Sequence, residues 1–372
     1  MNTTIERIEC WVLRAPVERP VRAAMGTMTT RPALFVRVTA ADGAHGWGEA
    51  WCNFPPPGAE HRARLLRAIF APLVAGLDAS RAEPVRAALE ARTRTLAIQC
   101  GEPGPFAQII AGIDQACWDL AARRAGVPLW RHLGGTSNRV RVYASGLGPD
   151  DVVETALARR AEGHRAFKLK VGMNAAGDRA NLARLRDALG ADATVMVDAN
   201  QAWSPAEALE RIAALAPLRP HWVEEPIAAD ESLEAWSLLA ERVGIPLAAG
   251  ENLRGEGAFD AAIAGGYLGY LQPDVGKWGG ISGCRDVASR AVERGLALCP
   301  HWLAGGIGLA ASMHLLAAAG GGGYAEVDAN PNPLREEVFP FAIAEGWATL
   351  PDRPGLGVEP DLARLERYVV AI

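Results

Sequence analysis

Two lysines stand two positions apart in FKLKVG, residues 167–172, a stretch that reads as a buried strand. Because side chains along a strand alternate between its faces, Lys168 and Lys170 point the same way. Two like charges on one face of a buried strand destabilise the fold unless another group compensates or uses them. Taken alone, the pair also suits an exposed edge strand that carries solubilising lysines. The neighbouring segments decide between these interpretations.

Three acidic residues end three later apolar runs. Asp198 stands in TVMVDAN, Glu224 in HWVEEP and Glu251 in PLAAGEN. Each alone could be a helix cap or a surface ion-pair partner. If the runs are successive parallel strands, the three carboxylates meet at one edge, where they repel one another unless a cation joins them. All-oxygen ligands favour Mg²⁺, with Mn²⁺ as a possible substitute.

Groups able to transfer protons surround this predicted metal site. Lys168 and the cation should both lower the pKa of Lys170, so that it can accept a proton near neutral pH. On later runs, Asp274 in GYLQPD is placed to orient the imidazole of His301 in ALCPHW. A lone histidine beside a tryptophan is more often a packed core residue, but this one has an acidic neighbour facing a metal. Glu326 in GYAEVD, if protonated, would hydrogen-bond a developing oxyanion.

The spacing of these residues predicts the architecture that positions them. Eight apolar runs from residue 140 onwards end in polar residues that recur 23 to 28 positions apart, at 145, 170, 198, 224, 251, 274, 301 and 326. A steady strand–helix repeat of that length is typical of a (β/α)8 barrel, an α/β fold in which chemistry gathers at the carboxyl ends of the strands. A doubly wound open sheet is the alternative, but VRVYASGLGPDD offers only GxG instead of the glycine fingerprint.

The first third of the chain has a different pattern. IERIECWVLRAPV and ALFVRVTAADGAHGWGEA predict strands in a hairpin or meander, and helical patterns follow at 59–75, 80–96 and 105–125. Strands followed by helices predict a separate α+β domain.

Composition and charge exclude several classes of function. A formal charge of −5 without basic blocks argues against nucleic acid or an anionic membrane as the main partner. Charged residues at 6, 7 and 9 interrupt any export signal, and the apolar stretch 296–319 is broken by proline, histidine and glycine. Six cysteines without CxxC spacing predict free thiols in a reducing cytoplasm.

A metal flanked by two proton-transfer groups suits one reaction, the removal of a weakly acidic proton next to a carboxylate. The cation and hydrogen-bond donors would stabilise the enediolate while one base takes the proton. The expected partner is therefore a small carboxylate substrate.

At this point the sequence resembles the enolase superfamily, and within it the mandelate racemase group, over nearly the whole chain. FKLKVG is similar to the KxK motif of that group, VDANQAW, WVEEP and AGEN to its three metal motifs, and PDVGKWGG followed by PHW to its Asp–His dyad. The resemblance implies that Lys170 is the base and that Asn200 contacts the substrate. It implies the roles already named for the other residues: Asp198, Glu224 and Glu251 as ligands, Asp274 and His301 as the dyad, and Glu326 on strand eight.

The resemblance also implies a domain arrangement. Residues 1–132, completed by the tail from about 346 to 372, would form a capping domain over a catalytic barrel at 133–345. The loop AAMGTMTTRP, residues 23–32, would close over the substrate, with Met25 and Met28 suited to an apolar group and Arg31 to a distal carboxylate. A homo-oligomer is implied as well.

Several reactions remain open on the sequence alone. Dehydration of an acid sugar or hydroxy diacid to a 2-keto-3-deoxy acid is favoured by analogy, and a racemase or epimerase of a 2-hydroxy acid is the main alternative. A cycloisomerase of the muconate-lactonizing type would use a lysine near position 277, but Glu251 and the dyad favour the mandelate racemase pattern, with Lys277 structural or charge-balancing. A phosphate-binding barrel and a non-catalytic, metal-stabilised barrel complete the alternatives.

Overall fold

The computed structural model of the chain describes residues 2–23, 26–190 and 192–372. Met25, expected to face the substrate, lies outside the described residues.

The N-terminal region forms a three-stranded antiparallel sheet in the order β1–β2–β3. Its strands are β1 (Ile5–Ala23), β2 (Gly26–Ala40) and β3 (His45–Ala50). The long helix at Pro103–Ala125 crosses this sheet so closely that a Cβ on Gly48 would lie 2.0 Å from the carbonyl oxygen of Gly112. The glycines of GWGEA therefore allow sheet and helix to meet backbone to backbone.

Five helices accompany this sheet, and a π-helical turn at Leu66–Phe70 joins the first two. The helices are α1 (Gly58–Leu65), α2 (Ala71–Val74), α3 (Ala82–Gln99), α4 (Pro103–Ala125) and α5 (Leu129–His132). The observed helices include those predicted at 80–96 and 105–125, whereas the pattern at 59–75 is divided by the π turn.

Eight parallel strands and the helices between them confirm the predicted barrel. The strands are β4 (Arg139–Leu147), β5 (Ala166–Lys170), β6 (Thr194–Asp198), β7 (Val223–Glu224), β8 (Leu247–Ala249), β9 (Tyr270–Leu271), β10 (Ala297–Leu298) and β11 (Tyr324–Asp328). The helices are α6 (Val152–Ala161), α7 (Ala175–Leu189), α8 (Pro205–Leu215), α9 (Leu233–Val243), α10 (Glu256–Gly265), α11 (Gly280–Glu293) and α12 (Gly306–Ala319).

The strand register places the chemical residues at one rim. Backbone ladders run from β10 through β4, and β11 pairs with the other side of β4. Lys170 is in register with Asp198, and Asp198 with Glu224. Near the amino-terminal ends of the strands, Trp222 packs against Tyr270 with ring centroids 4.6 Å apart. This aromatic packing lies at the opposite end of the barrel from the carboxyl rim, the end at which chemistry gathers in barrels of this kind.

The C-terminal segment divides between the two regions. Strands β12 (Ile343–Ala344) and β13 (Trp347–Thr349) form a hairpin that pairs with β4 of the barrel. This hairpin straddles the predicted boundary at 345/346. Farther on, Leu129 donates a backbone hydrogen bond to Gly355, and Val370 donates one to Val12. The tail therefore packs on the N-terminal region. The remaining helices are α13 (Pro333–Glu336) and α14 (Leu362–Leu365).

Within the described ranges, no helix is both long and apolar enough to span a bilayer.

Candidate active site

Lys168 is fully buried, and its charge is compensated within the barrel. Its Nζ lies 2.5 Å from Glu224 Oε1, 2.8 Å from Glu326 Oε1 and 3.4 Å from the Tyr143 hydroxyl. Burial lowers the pKa of Lys168, but the two carboxylates outweigh burial and hold the pKa well above its ordinary value. Lys168 is therefore a fixed positive charge beneath the rim.

Lys170 lies higher in the barrel and is 8% exposed. Its Nζ donates to Asp198 Oδ2 at 2.5 Å and to Asn200 Oδ1 at 3.0 Å. Burial and the ammonium of Lys168 lower the pKa of Lys170, but Asp198 together with Glu224 and Glu326 outweighs them, and the net shift is upward. The expected lowering concerned a site that holds the cation; in the geometry described here the shift is upward because an ionised carboxylate contacts the amine directly.

The three predicted metal ligands are all buried at the rim, with exposed fractions of 1% for Asp198, 1% for Glu224 and 7% for Glu251. Each carboxylate contacts a cationic side chain: Lys170 at Asp198, Lys168 at Glu224, and the Nε2 of His301 at Glu251. Across residues 2–23, 26–190 and 192–372, no three acidic, histidine or cysteine side chains converge closely enough to hold a metal.

The electrostatics of these carboxylates nevertheless suit a divalent cation. Burial, together with the charges of Asp198 and Glu326, raises the pKa of Glu224 to about 7 even though Lys168 opposes the shift. Negative charge at this carboxylate is thus incompletely compensated by the lysines. Hard carboxylate oxygens on three successive strands are the donors that Mg²⁺ prefers, and a bound cation would compete with Lys170 and His301 for them. The residues present therefore fit the predicted metal.

Asp274 and His301 lie within hydrogen-bonding distance. Oδ1 of Asp274 accepts hydrogen bonds from the backbone of Gly276 at 2.7 Å and Lys277 at 3.0 Å, and Oδ2 lies 2.6 Å from His301 Nδ1. This arrangement places a proton on Nδ1 and turns Nε2 toward Glu251. Burial lowers the pKa of His301, but Glu251 and then Glu326 outweigh it and raise the pKa to about 10. In this geometry the imidazole carries a positive charge.

Glu326, which could donate to a developing oxyanion only if it is protonated, lies between two cationic side chains. Its carboxylate contacts Lys168 at 2.8 Å and accepts hydrogen bonds from the Ser145 hydroxyl at 2.5 Å and the Trp302 backbone at 3.1 Å. Burial raises the pKa of Glu326, but Lys168 and His301 outweigh burial and the net shift is downward. Glu326 is therefore an ionised partner of Lys168 and His301, not a donor.

Asn200, two residues beyond the end of β6, bridges Lys170 and Asp198. Its Nδ2 donates to Asp198 Oδ2 at 3.2 Å, and its Oδ1 accepts from Lys170. Asn200 and Gln201 both have positive φ, 45° and 64°. Left-handed backbone at two successive non-glycine residues is costly and is typical of functional sites.

The structure places Arg31 and Met28 beside each other on β2, so this part of the loop expected at 23–32 is strand. Arg31 is 1% exposed, and its Nη2 lies 2.7 Å from Asp328 Oδ2 at the end of β11. Its Nη1 lies 3.6 Å from Met28 Sδ. Because Asp328 compensates its charge, Arg31 is not the free cation that the expected pairing with a distal substrate carboxylate requires.

Asn252 and Trp51 at the rim were not predicted from the sequence, whereas Lys277 beside them was. Asn252 donates to both oxygens of Glu225 at 2.9 and 3.0 Å and to Glu251 at 3.0 Å. Lys277 lies 3.2 Å from Asn252 Oδ1, 3.4 Å from Glu251 Oε1 and 4.7 Å from the ring centroid of Trp51. Lys277 is thus a buried cation beside the third carboxylate, as its charge-balancing interpretation requires. Asn252 had a signal in AGEN, whereas nothing in the sequence separated Trp51 from the other tryptophans.

We compared the sequence and the fold of this chain with those of known proteins. Residues 7–134 match the model of the mandelate racemase/muconate lactonizing enzyme N-terminal domain, and residues 151–364 match the enolase C-terminal domain-like model. The chain is 30% identical to a D-galactarolactone cycloisomerase of Agrobacterium fabrum, covering 95% of this chain and 96% of that protein. It is 32% identical to a D-galactonate dehydratase of Ralstonia nicotianae, covering 89% of each.

Solved structures of the same family have a similar fold. A mandelate racemase/muconate lactonizing enzyme from Bordetella bronchiseptica is 48% identical, with a TM-score of 0.92 and coverage of 99% of this chain and 100% of that one. A racemase from Streptomyces coelicolor with bound magnesium is 31% identical, with a TM-score of 0.89 and coverage of 98% and 100%.

Proposed function

We propose, since this chain belongs to the mandelate racemase/muconate lactonizing enzyme family of the enolase superfamily, that it removes the proton next to a substrate carboxylate and then eliminates water from an acid sugar. The observation that carries the proposal is the placement of Lys170 and His301. They come from the second and seventh barrel strands and flank the carboxylates of strands three to five. Two proton-transfer groups can therefore act on a substrate held between them.

Asp198, Glu224 and Glu251 would hold Mg²⁺. Bound there, the cation supplies electrostatic stabilisation for the carboxylate oxygens of the enediolate. The magnesium in the Streptomyces coelicolor racemase structure supports this assignment.

The remaining roles follow from the charges at the rim. Lys168 supplies a permanent positive charge for the substrate carboxylate, and Glu224 and Glu326 keep it protonated. Lys170 takes the proton from the carbon next to that carboxylate. Its ammonium must first lose its proton, and its contact with Asp198 opposes that loss. Asn200, bonded to Lys170, is placed to contact the substrate.

His301 completes the elimination by donating its Nε2 proton to the leaving oxygen on the neighbouring carbon. Asp274 holds the opposite nitrogen and stabilises the imidazolium. The electron pair of the broken C–H bond forms the double bond, and the pair of the broken C–O bond leaves with the oxygen as water. The resulting enol then becomes a 2-keto-3-deoxy acid.

A second candidate reaction is cycloisomerisation of a sugar-acid lactone, and the Agrobacterium fabrum relative favours it. The first proton transfer would be the same, but His301 would protonate a ring oxygen, so that the ring opens and no water leaves. Racemisation or epimerisation remains the third outcome, in which His301 returns a proton to the opposite face of the enediolate.

The test is proton NMR in D₂O of the Mg²⁺-loaded protein with D-galactonate, galactarate, D-galactarolactone and mandelate. Loss of the C2 proton signal with appearance of a 2-keto-3-deoxy product supports elimination. The substrate that is consumed then shows whether the enzyme acts on an open acid or on a lactone. Deuterium at C2 without loss of the acid would show that the reaction is racemisation or epimerisation and not elimination. Turnover that persists undiminished in both Lys170→Ala and His301→Asn would refute the assigned roles.

A further inference from the structure

Two carboxylates of the N-terminal region cap two barrel helices. Helix α12 follows the strand of His301 and begins with glycines, with no capping side chain of its own. Glu49 of β3 accepts hydrogen bonds there, through Oε1 from the Gly305 backbone at 2.7 Å and through Oε2 from Gly308 at 3.0 Å. The first amides of a helix require such acceptors, and Glu49 supplies them from another region of the chain.

Helix α11, which follows the strand of Asp274, has the same arrangement. Its N-terminus also consists of glycines without a capping side chain. Asp114 of α4 accepts from the Ser282 backbone at 3.0 Å and from the Ser282 hydroxyl at 2.5 Å. The two helices capped in this way are the two that directly follow the dyad, which is the pair Asp274 and His301.

Both helix starts have glycine where the carboxylate enters. A Cβ on Gly305 would lie 2.5 Å from Glu49 Oε1, and one on Gly280 would lie 2.3 Å from Asp114 Oδ2. Both carboxyl side chains are fully buried. The glycine-rich turns PHWLAGGIG and GKWGGIS are therefore shaped for these two acidic residues.

The same part of the N-terminal region also holds the loops that carry the dyad. Gln115 donates through Nε2 to the carbonyls of Glu49 at 2.9 Å and Val275 at 2.8 Å. The Asn53 side chain donates to the Leu303 carbonyl at 2.6 Å, two residues after His301. By contrast, Lys170 donates its hydrogen bonds to Asp198 and Asn200, both within the barrel.

We propose that Glu49 is a positioning residue for His301 and that Asp114 has the same role for Asp274. The N-terminal region thereby sets the place of the proton donor, while the barrel alone sets the place of the lysine base. The proposal rests on the proposed function only in taking His301 as the proton donor. Loss of either carboxylate should impair elimination more than it impairs the proton exchange that depends on Lys170.

The first experiment needs no substrate. Amide hydrogen exchange is measured by mass spectrometry on the full-length, Mg²⁺-loaded protein and its Glu49→Ala variant. Exchange within residues 301–308 should rise about tenfold in the variant because the amides at the start of α12 lose their acceptors. Asp119→Ala is the matched control, since Asp119 is also fully buried and accepts from the Trp47 backbone at 2.8 Å and from Leu356 at 2.7 Å, away from the dyad loops.

The second experiment uses D-galactonate as the probe. Glu49→Ala should lower kcat for elimination about tenfold or more with little change in KM, while deuterium exchange at C2 persists. Asp119→Ala should leave the ratio of elimination to exchange unchanged. If Glu49→Ala does not fold, Glu49→Gln, which keeps one acceptor, carries the same two readouts. Asp114→Asn carries them for α11, with amide exchange read at residues 280–282.

Equal effects of Glu49→Ala and Asp119→Ala on exchange at 301–308 would overturn the proposal and reduce Glu49 to a general stabilising contact. A wild-type protein without activity on D-galactonate would count against the proposed substrate class. The hydrogen-exchange result would still decide the role of Glu49, so the two failures are distinguishable.

Discussion

Replacing Lys168 by methionine tests the charge balance of the site. Methionine keeps much of the volume of the stem but removes an ammonium that lies 2.5 Å from Glu224, 2.8 Å from Glu326 and 3.6 Å from Asp198. Lys168 and Glu326 have no solvent-exposed side-chain surface, and that of Glu224 is only 2% exposed. Breaking a buried ion pair by removing one partner costs about 3–5 kcal/mol. We expect Lys168→Met to lose about that much unfolding free energy when Mg²⁺ is absent.

Magnesium should reduce this loss. A cation bound by Glu224 would compensate one of the two carboxylates that lose the ammonium of Lys168, so the variant should gain more stability from Mg²⁺ than the wild type does. The assay is urea denaturation followed by circular dichroism, with EDTA and with saturating Mg²⁺. Lys277→Met is the matched control, because its ammonium lies farther from a carboxylate, 3.4 Å from Glu251. A loss below about 1 kcal/mol for Lys168→Met, or one that Mg²⁺ leaves unchanged, would refute the reasoning.

Three further predictions concern stability. Arg31→Met should cost about 3–5 kcal/mol in urea denaturation because it strands the buried carboxylate of Asp328, and adding Asp328→Asn should recover part of the loss. Burial lowers the pKa of His314 to about 4, so between pH 4 and 6.5 the unfolded chain binds more protons than the folded one. The free energy of unfolding should therefore rise with pH across that range by about 3 kcal/mol, and His314→Gln should flatten this dependence. Gly48→Ala would put its Cβ 2.0 Å from a backbone oxygen of α4, so a melting temperature equal to that of the wild type would contradict the close packing.

Much of the barrel could be predicted from the sequence because its signals are local and periodic. The polar residue that ends each apolar run is visible without knowing its partners, and the register then brings Lys170, Asp198 and Glu224 to one level. Parallel strands impose this convergence, so the rim could be predicted before any distance was known.

The remaining features depend on partners that are distant in sequence. Arg31 pairs with a residue almost 300 positions later, and that contact decides whether its charge is available to a substrate. The charges of Lys170 and Glu326 depend on which side chain sits within 3 Å, a quantity that motif spacing does not contain. The capping of α11 and α12 was missed for the same reason, since Asp114 and Glu49 lie about 170 and 250 residues before the amides they cap.

The most direct test of the account is deuterium incorporation at C2 by three Mg²⁺-loaded proteins supplied with an acid that the wild type consumes. We predict that His301→Asn incorporates deuterium without eliminating water, because Lys170 and its carboxylate neighbours are intact. We predict that Lys170→Ala does neither. Incorporation by Lys170→Ala at the wild-type rate would contradict the assignment of Lys170 as the base, and with it the account of how this rim works.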